Sequence, residues 1–188
     1  MPQEELLAEV AVVLNDAGVA YVVTGSVVTS IYGAPRYTED VDIVVVAAPN
    51  VGPALARAFK PPRYYVDAQD INDSLKNGII SNLIDTDTAR KVDFHPLKSG
   101  DPFNLSVFKR RRKVAYGGVE LWFPSPEDAI LSKLRWARLC GDGERHLRDA
   151  AGVYRVQQPT LDMAYIKVWA ERLGITDLLG KVAAGTGL

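Results

Sequence analysis

Residues 24–45 read TGSVVTSIYGAPRYTEDVDIVV and contain the features that decide the fold. The stretch begins at the end of an apolar run, 19–24, whose β-branched and aromatic residues predict a buried strand. A Gly-Ser pair interrupts that run, and residues 26–32 then follow a helical pattern. A loop with glycine and proline leads to a second apolar strand over 41–47. The stretch therefore predicts a strand, a turn, a helix, a loop and a second strand.

Gly25 and Ser26 form the turn between the first strand and its helix. A glycine at this place lets a phosphate approach the backbone, and the start of the helix offers N–H groups and the positive end of its dipole. The Ser26 hydroxyl adds one further donor. A plain tight turn explains the same residues, because strand–glycine–helix turns are common. The turn is therefore a candidate phosphate site, with a purely structural turn as the alternative.

Asp40 and Asp42 enter the second strand two residues apart, so both carboxylates project from one face of it. The other face carries valine and isoleucine. Two neighbouring carboxylates repel each other, and a shared cation relieves that repulsion. Hard divalent ions such as Mg²⁺ prefer oxygen ligands of this kind. The pair predicts a metal site, with an acidic loop running into the strand as the alternative.

A third acid, Asp93, lies in the apolar strand RKVDFHP over 90–96, where it shares a face with Lys91 and His95. An isolated acid in such a strand is an unusual structural choice. If this strand neighbours the strand of Asp40 and Asp42, the three carboxylates can bracket two metal ions about 3.5–4 Å apart. That layout suits an in-line displacement at phosphorus. His95 is a candidate partner of Asp93 or neighbour of the metal, or a structural hydrogen-bonding residue.

The rest of the chain alternates helices with two hairpins before a helical end. Helices are predicted over 3–17, 49–60, 67–77, 102–109, 126–139, 144–156, 161–173 and 175–184, and hairpins over 79–96 and 111–123. The fold class is therefore α/β (α+β), a mixed sheet flanked by helices. We predict a core domain over 1–124 and a C-terminal helical unit over 125–188.

The composition is that of a globular protein with a hydrophobic core. Of the 188 residues, 47% are hydrophobic and 24% charged, which excludes a chain disordered throughout. The single cysteine, Cys140, excludes an internal disulfide framework and a cysteine-based zinc site. No apolar run is long enough to span a bilayer, so no membrane partner is expected. The acidic N-terminus predicts no secretory signal, and the cytoplasm is the expected location.

The charge is divided unevenly along the chain. Residues 1–100 hold 8 Lys and Arg against 13 Asp and Glu, whereas 101–188 hold 14 against 10. This division predicts a cleft with a metal-binding wall and a phosphate-binding wall, or two halves with independent surfaces. The run KRRRK over 109–113 predicts an RNA or triphosphate contact, or an edge strand protected by charge.

The order of these features resembles the DNA polymerase β-like nucleotidyltransferase superfamily. That order is a strand, a Gly-Ser pair, a short helix, an Asp-x-Asp motif and a later single Asp. The loop GAPRYTED over 33–40 is similar in particular to the AbiEii-type nucleotidyltransferases, which occur as toxins of toxin–antitoxin pairs. The segments PEDAILSKL and ERHLRDAAGVY within 125–154 are similar to the helices that follow the core in that group. The resemblance extends over most of 20–155.

The resemblance implies a Mg²⁺-dependent enzyme that transfers a nucleoside monophosphate from an NTP to an acceptor. The acceptor would be an RNA such as tRNA, a protein or a small molecule, and a toxin or antitoxin partner would be present. Two Mg²⁺ ions would bind to Asp40, Asp42 and Asp93, and Asp93 would also be a candidate base. The residues implied in binding the triphosphate are Gly25, Ser26, Lys133, Arg36 and Arg145, with Asp149 orienting Lys133 or Arg145.

Two other interpretations remain. The chain can be a non-catalytic nucleotide- or partner-binding module with the same fold, although such a module does not need three clustered acids. It can also be a glycosyltransferase, because Asp-x-Asp holds a metal for nucleotide sugars. The short chain, the Gly25–Ser26 turn before the acids and the later Asp93 disfavour the glycosyltransferase.

Overall fold

The computed structural model describes residues 3–34, 38, 40–140 and 143–185. The chain divides into two compact units, one of Met1–Gly25 with Thr38–Phe123 and one of Ser26–Tyr37 with Pro124–Leu188. The segment after Gly25 therefore groups with the C-terminal helices, and the domain boundary at 124/125 stays a prediction.

A mixed sheet forms the first unit and has five strands in the described residues. These are β1 (Tyr21–Thr24), β2 (Asp40–Val45), β3 (Tyr64–Tyr65), β4 (Ser81–Asp85) and β5 (Arg90–Pro96). Their order across the sheet is β1-β2-β5-β4-β3. β2 and β5 are parallel, and the other neighbouring pairs are antiparallel. The mixed α/β class predicted from the sequence is confirmed.

Alternating burial along β2 and β5 shows which face of the sheet packs against the hydrophobic core. Val41, Ile43 and Val45 of β2 and Val92 and Phe94 of β5 are buried, whereas the residues between them are partly or fully exposed. The accompanying helices are α1 (Gln3–Asp16), α3 (Val51–Ala58) and α4 (Ala68–Lys76), and α4 packs against β4 and β5. One sheet face is therefore core, and the other is left for polar side chains.

A helix and a hairpin complete the first unit. Helix α5 (Pro102–Arg110) leads into β6 (Arg112–Tyr116) and β7 (Val119–Phe123), which pair around two glycines as predicted. The basic run 109–113 thus covers the end of a helix and the start of a strand in a two-stranded sheet. Within it, the Arg111 guanidinium stacks on Phe108, 4.0 Å from the ring centroid, and on Trp122 at 4.9 Å. A nucleic-acid role for the run stays a prediction.

The second unit is helical. It contains α2 (Gly25–Tyr32) from its second residue onward, α6 (Pro126–Leu139), α7 (Gly143–Gln157), a 3₁₀ turn (Gln158–Thr160), α8 (Met163–Arg172) and α9 (Thr176–Ala184). The Tyr32 hydroxyl donates to the Pro124 carbonyl over 2.9 Å, and the Gln157 amide donates to the Tyr32 carbonyl over 2.9 Å. These bonds attach α2 to the end of α7 and to the segment that precedes α6. Among the described residues, none of the helices has the length and apolarity that crossing a bilayer demands.

Candidate active site

The parallel pairing of β2 with β5 gathers the predicted acids on one face of the sheet. Asp42 lies directly opposite Asp93, and Asp40 lies opposite Lys91. Directly paired residues point to the same face, and so do residues two apart on one strand. Asp40, Asp42 and Asp93 therefore form one carboxylate cluster, flanked by Lys91 and His95. The two strands are neighbours, as the sequence argument required.

The cluster is open to solvent at one end and enclosed at the other. The side chain of Asp40 is 51% exposed, that of Asp42 30% and that of Asp93 15%. The Asp40 carbonyl accepts hydrogen bonds from the Gln3 amide at 3.1 Å and the Thr38 hydroxyl at 3.3 Å, which hold the start of β2 in place. A ligand from solvent would meet Asp40 first.

Gly25 lies against the carboxylate of Asp42. Its φ of +73° is in the left-handed region, where glycine is favoured. A Cβ placed on Gly25 would lie 2.1 Å from Oδ2 of Asp42, which is far inside contact distance. From the sequence, this glycine is predicted to let a phosphate approach the backbone. The structure gives a further reason for it, because a side chain at this position would collide with the acid itself.

Among the described residues, Lys91 is the cation that forms ion pairs with the carboxylate cluster. Its Nζ lies 2.7 Å from Oδ2 of Asp93 and 3.8 Å from Oδ1 of Asp40. The hydrogen bond with Asp93, supported by the charges of all three carboxylates, raises the pKa of Lys91. The ammonium is therefore charged at neutral pH. The sequence placed Lys91 on the right face but gave it no role, since its partners depend on the strand register.

His95 contacts the other central acid. Its Nε2 lies 3.0 Å from Oδ1 of Asp42. Because a carboxylate oxygen accepts, the ring nitrogen donates this hydrogen bond, which restricts the orientation of the carboxylate. From the sequence, Asp93 is one candidate partner of His95, whereas in the structure His95 contacts Asp42.

The cluster has the ligand chemistry of a hard divalent cation, but its side chains are paired with other groups. Three carboxylates at adjacent register positions supply the oxygen donors that Mg²⁺ takes. Within 3–34, 38, 40–140 and 143–185, however, no three His, Cys, Asp or Glu side chains are arranged around one metal position. Asp42 is engaged by His95 and Asp93 by Lys91. The donor chemistry of the cluster therefore fits a hard divalent cation.

Apart from Gly25, the described residues implied in phosphate binding belong to the second unit. Ser26 is buried in the first turn of α2, Arg145 is exposed on α7, and Arg36 falls outside the described residues. Lys133 is buried, and its Nζ lies 2.7 Å from Oδ2 of Asp149. Asp149 is therefore the partner of Lys133 that the resemblance implied.

Comparison with known proteins shows similarity in structure only. No protein-family model and no curated protein sequence matches the chain. An antigenic nucleotidyltransferase-like protein from Paracoccidioides brasiliensis has a TM-score of 0.59 at 15% identity, over 96% of this chain and 92% of that one. The antibiotic-resistance factor ANT(2'')-Ia in solution has a TM-score of 0.55 at 11% identity, over 90% of each chain.

A crystal structure of ANT(2'')-Ia in complex with adenylyl-2''-tobramycin also matches, with a TM-score of 0.53 at 12% identity, over 92% of this chain and 97% of that one. Because these neighbours are alike in architecture and cover nearly the whole chain, the chain has the nucleotidyltransferase fold. The fold predicted from the sequence is confirmed.

Proposed function

We propose that the chain is a divalent-metal-dependent nucleotidyltransferase, which moves a nucleoside monophosphate from an NTP to an acceptor hydroxyl. The observation that carries the proposal is the register of β2 and β5, which sets Asp42 opposite Asp93 with Asp40 on the same face. The nucleotidyltransferase fold of the chain supports the same conclusion.

Asp40, Asp42 and Asp93 are the residues that would hold Mg²⁺. The bound metal would neutralise charge on the triphosphate and on the transition state. The residues around the cluster fix the position of the carboxylates. Gly25 leaves room for the Asp42 carboxylate, and His95 orients that carboxylate through a 3.0 Å contact. Nucleotidyl transfer depends on charge neutralisation and in-line placement more than on covalent catalysis, which suits such a set.

The proposed reaction is a single displacement. The acceptor oxygen forms a bond to the α-phosphorus of the NTP, and the bond from that phosphorus to the bridging oxygen of the β-phosphate breaks. Pyrophosphate leaves with the electron pair of the broken bond. The hydroxyl proton passes to Asp93, the most enclosed of the three acids, and from there to solvent.

The triphosphate-binding residues are proposed from the resemblance. Ser26, Arg36, Lys133 and Arg145 keep that role as predictions, together with the backbone at Gly25. The buried pairing of Lys133 with Asp149 supports a fixed position for its ammonium. A lysine held in this way offers a compact charge for a phosphate.

The finer assignment is an AbiEii-type enzyme of a toxin–antitoxin pair, acting in the cytoplasm. The loop GAPRYTED supports it. The acceptor is then an RNA such as tRNA, or a protein. A small-molecule acceptor is the other choice, supported by the neighbour found in complex with adenylyl-2''-tobramycin.

One observation favours the non-catalytic alternative. Asp42 and Asp93 already pair with His95 and Lys91, so both carboxylates have polar partners without a bound metal. Label transfer separates the two functions. The full chain is incubated with Mg²⁺ and each NTP labelled at the α-phosphate, together with total RNA, candidate partner protein or a small-molecule pool. An enzyme moves the α-label to one acceptor and releases pyrophosphate, and the Asp42→Asn variant loses both signals. Binding of an NTP without any transfer supports the non-catalytic module.

A further inference from the structure

The ammonium of Lys91 lies within the carboxylate cluster. It is 2.7 Å from Oδ2 of Asp93 and 3.8 Å from Oδ1 of Asp40. The register sets Lys91 directly opposite Asp40, and Asp93 follows two residues later on the same strand. The backbone of β5 therefore tethers a positive charge between these two acids. An ion that bridged Asp40 and Asp93 at the usual Mg²⁺–oxygen distance of about 2.0–2.1 Å would need the same space.

The charge of the cluster matches one divalent ion. Three carboxylates and one ammonium leave a net charge of −2, which a single divalent ion neutralises. Among the described residues, Lys91 forms ion pairs with Asp40 and Asp93 but not with Asp42. Asp42 instead contacts His95, at 3.0 Å. A metal on Asp42 and the exposed Asp40 therefore leaves the pair of Lys91 and Asp93 intact.

We propose that Lys91 takes the place of one of the two metal ions expected for this site. One divalent ion binds to Asp40 and Asp42, and the ammonium of Lys91, held by Asp93, supplies the second positive charge. Its N–H groups are donors for phosphate oxygens, and its position is fixed by the strand. This inference rests on the proposed function for the identity of the site. It replaces the expected two ions on three carboxylates by one ion on Asp40 and Asp42, and Asp93 then holds Lys91 in place of a metal.

Metal counting tests the inference without an activity assay. Mn²⁺ is titrated into the full chain without nucleotide, and the free ion is followed by electron paramagnetic resonance. We expect the wild type to bind one Mn²⁺ per chain and Lys91→Met to bind two. The first ion should bind to Lys91→Met at least ten-fold more tightly than the single ion binds to the wild type. Lys91→Ala is a second neutral variant in case the methionine variant does not fold. Lys91→Arg keeps the charge and should bind one.

The matched control is Lys98→Met, which removes an exposed lysine just beyond β5 and should leave the count at one. Two ions in the wild type would overturn the inference, and so would a single ion at unchanged affinity in the folded neutral variants. Failure of the proposed function gives a different result. In that case no NTP transfers its label, whatever number of Mn²⁺ ions the chain binds.

Discussion

At the scale of single residues, the site depends on how closely Gly25 approaches Asp42. The left-handed φ of +73° and the 2.1 Å between a Cβ at this position and Oδ2 of Asp42 are separate constraints. The first acts on the backbone of any residue other than glycine. The second acts on Asp42, the proposed metal ligand, because a methyl group there would push the carboxylate out of its place.

Gly25→Ala should therefore lower both stability and metal-dependent NTP binding. We expect a loss of about 1–3 kcal/mol in the free energy of unfolding and at least a ten-fold loss of affinity. The control is Gly78→Ala, since Gly78 has a φ of +77° and no atom within 4 Å of its added Cβ. It should lose only about 1–2 kcal/mol for the backbone and keep its affinity. Equal NTP affinity in the two variants, by calorimetric titration, would refute this role of Gly25.

At the scale of secondary-structure elements, the edge of the sheet at β3 and β4 carries a buried acid. Asp85 accepts a hydrogen bond from the Asp87 amide at 3.1 Å and contacts Nη2 of Arg63 at 3.4 Å. Burial by itself raises the pKa of Asp85, but these bonds outweigh it, and the pKa is lowered overall. The ionised carboxylate is therefore the form that stabilises this edge.

Asp85→Asn should destabilise the protein at neutral pH and matter less in acid. Because the pKa is lower in the folded chain, the stabilisation is present above the ordinary aspartate pKa of about 3.9 and declines as the pH falls through the folded value. We expect a loss of about 1–3 kcal/mol at pH 7 that narrows toward pH 3, measured by urea unfolding. Asp73→Asn, at an exposed position of α4, is the control and should show no such dependence. A constant loss at both pH values would contradict the prediction.

Within the helical unit, Lys133 of α6 and Asp149 of α7 form an enclosed ion pair, with side chains 9% and 8% exposed. Lys133→Met removes the cation and leaves a buried carboxylate behind. We expect a loss of about 3–5 kcal/mol in the free energy of unfolding, partly restored in Lys133→Met/Asp149→Leu. Lys167→Met, at an exposed position of α8, should change stability by less than about 0.5 kcal/mol. Thermal unfolding of the variants tests whether this pair links the two helices. If Lys133→Met loses no more unfolding free energy than Lys167→Met, the link is disproved.

At the scale of the whole molecule, local patterns predicted most of the elements. The periodicities gave α6 as 126–139 and the later hairpin around its two glycines, because these depend on neighbouring residues alone. The strand β3 was missed, since its two residues are too few for an alternating pattern. The order β1-β2-β5-β4-β3 was not predicted, because it depends on contacts between strands that are distant in sequence.

The sequence predicts that Asp40, Asp42 and Asp93 share one sheet face, as the register shows, but it does not predict the contacts of Lys91 with them. Asp93 could be identified because a lone acid in an apolar strand has few structural uses. Lys91 could not, because its place between two acids follows from the register of β2 and β5. The pairing of His95 with Asp42 in place of Asp93 has the same cause. Burial of Lys133 was also not evident, since an isolated lysine in a helix is usually exposed.

The central claim is that the carboxylate cluster binds an NTP through a divalent metal. Calorimetric titration of non-hydrolysable analogues of the four NTPs tests it without knowledge of the acceptor. With Mg²⁺, the wild type should bind at least one analogue. Its affinity should fall at least ten-fold in EDTA or in Asp42→Asn, and stay unchanged in Asp16→Asn, an exposed acid at the end of α1. Binding that is equally tight in EDTA and in Asp42→Asn, or no binding of any analogue, would contradict the claim.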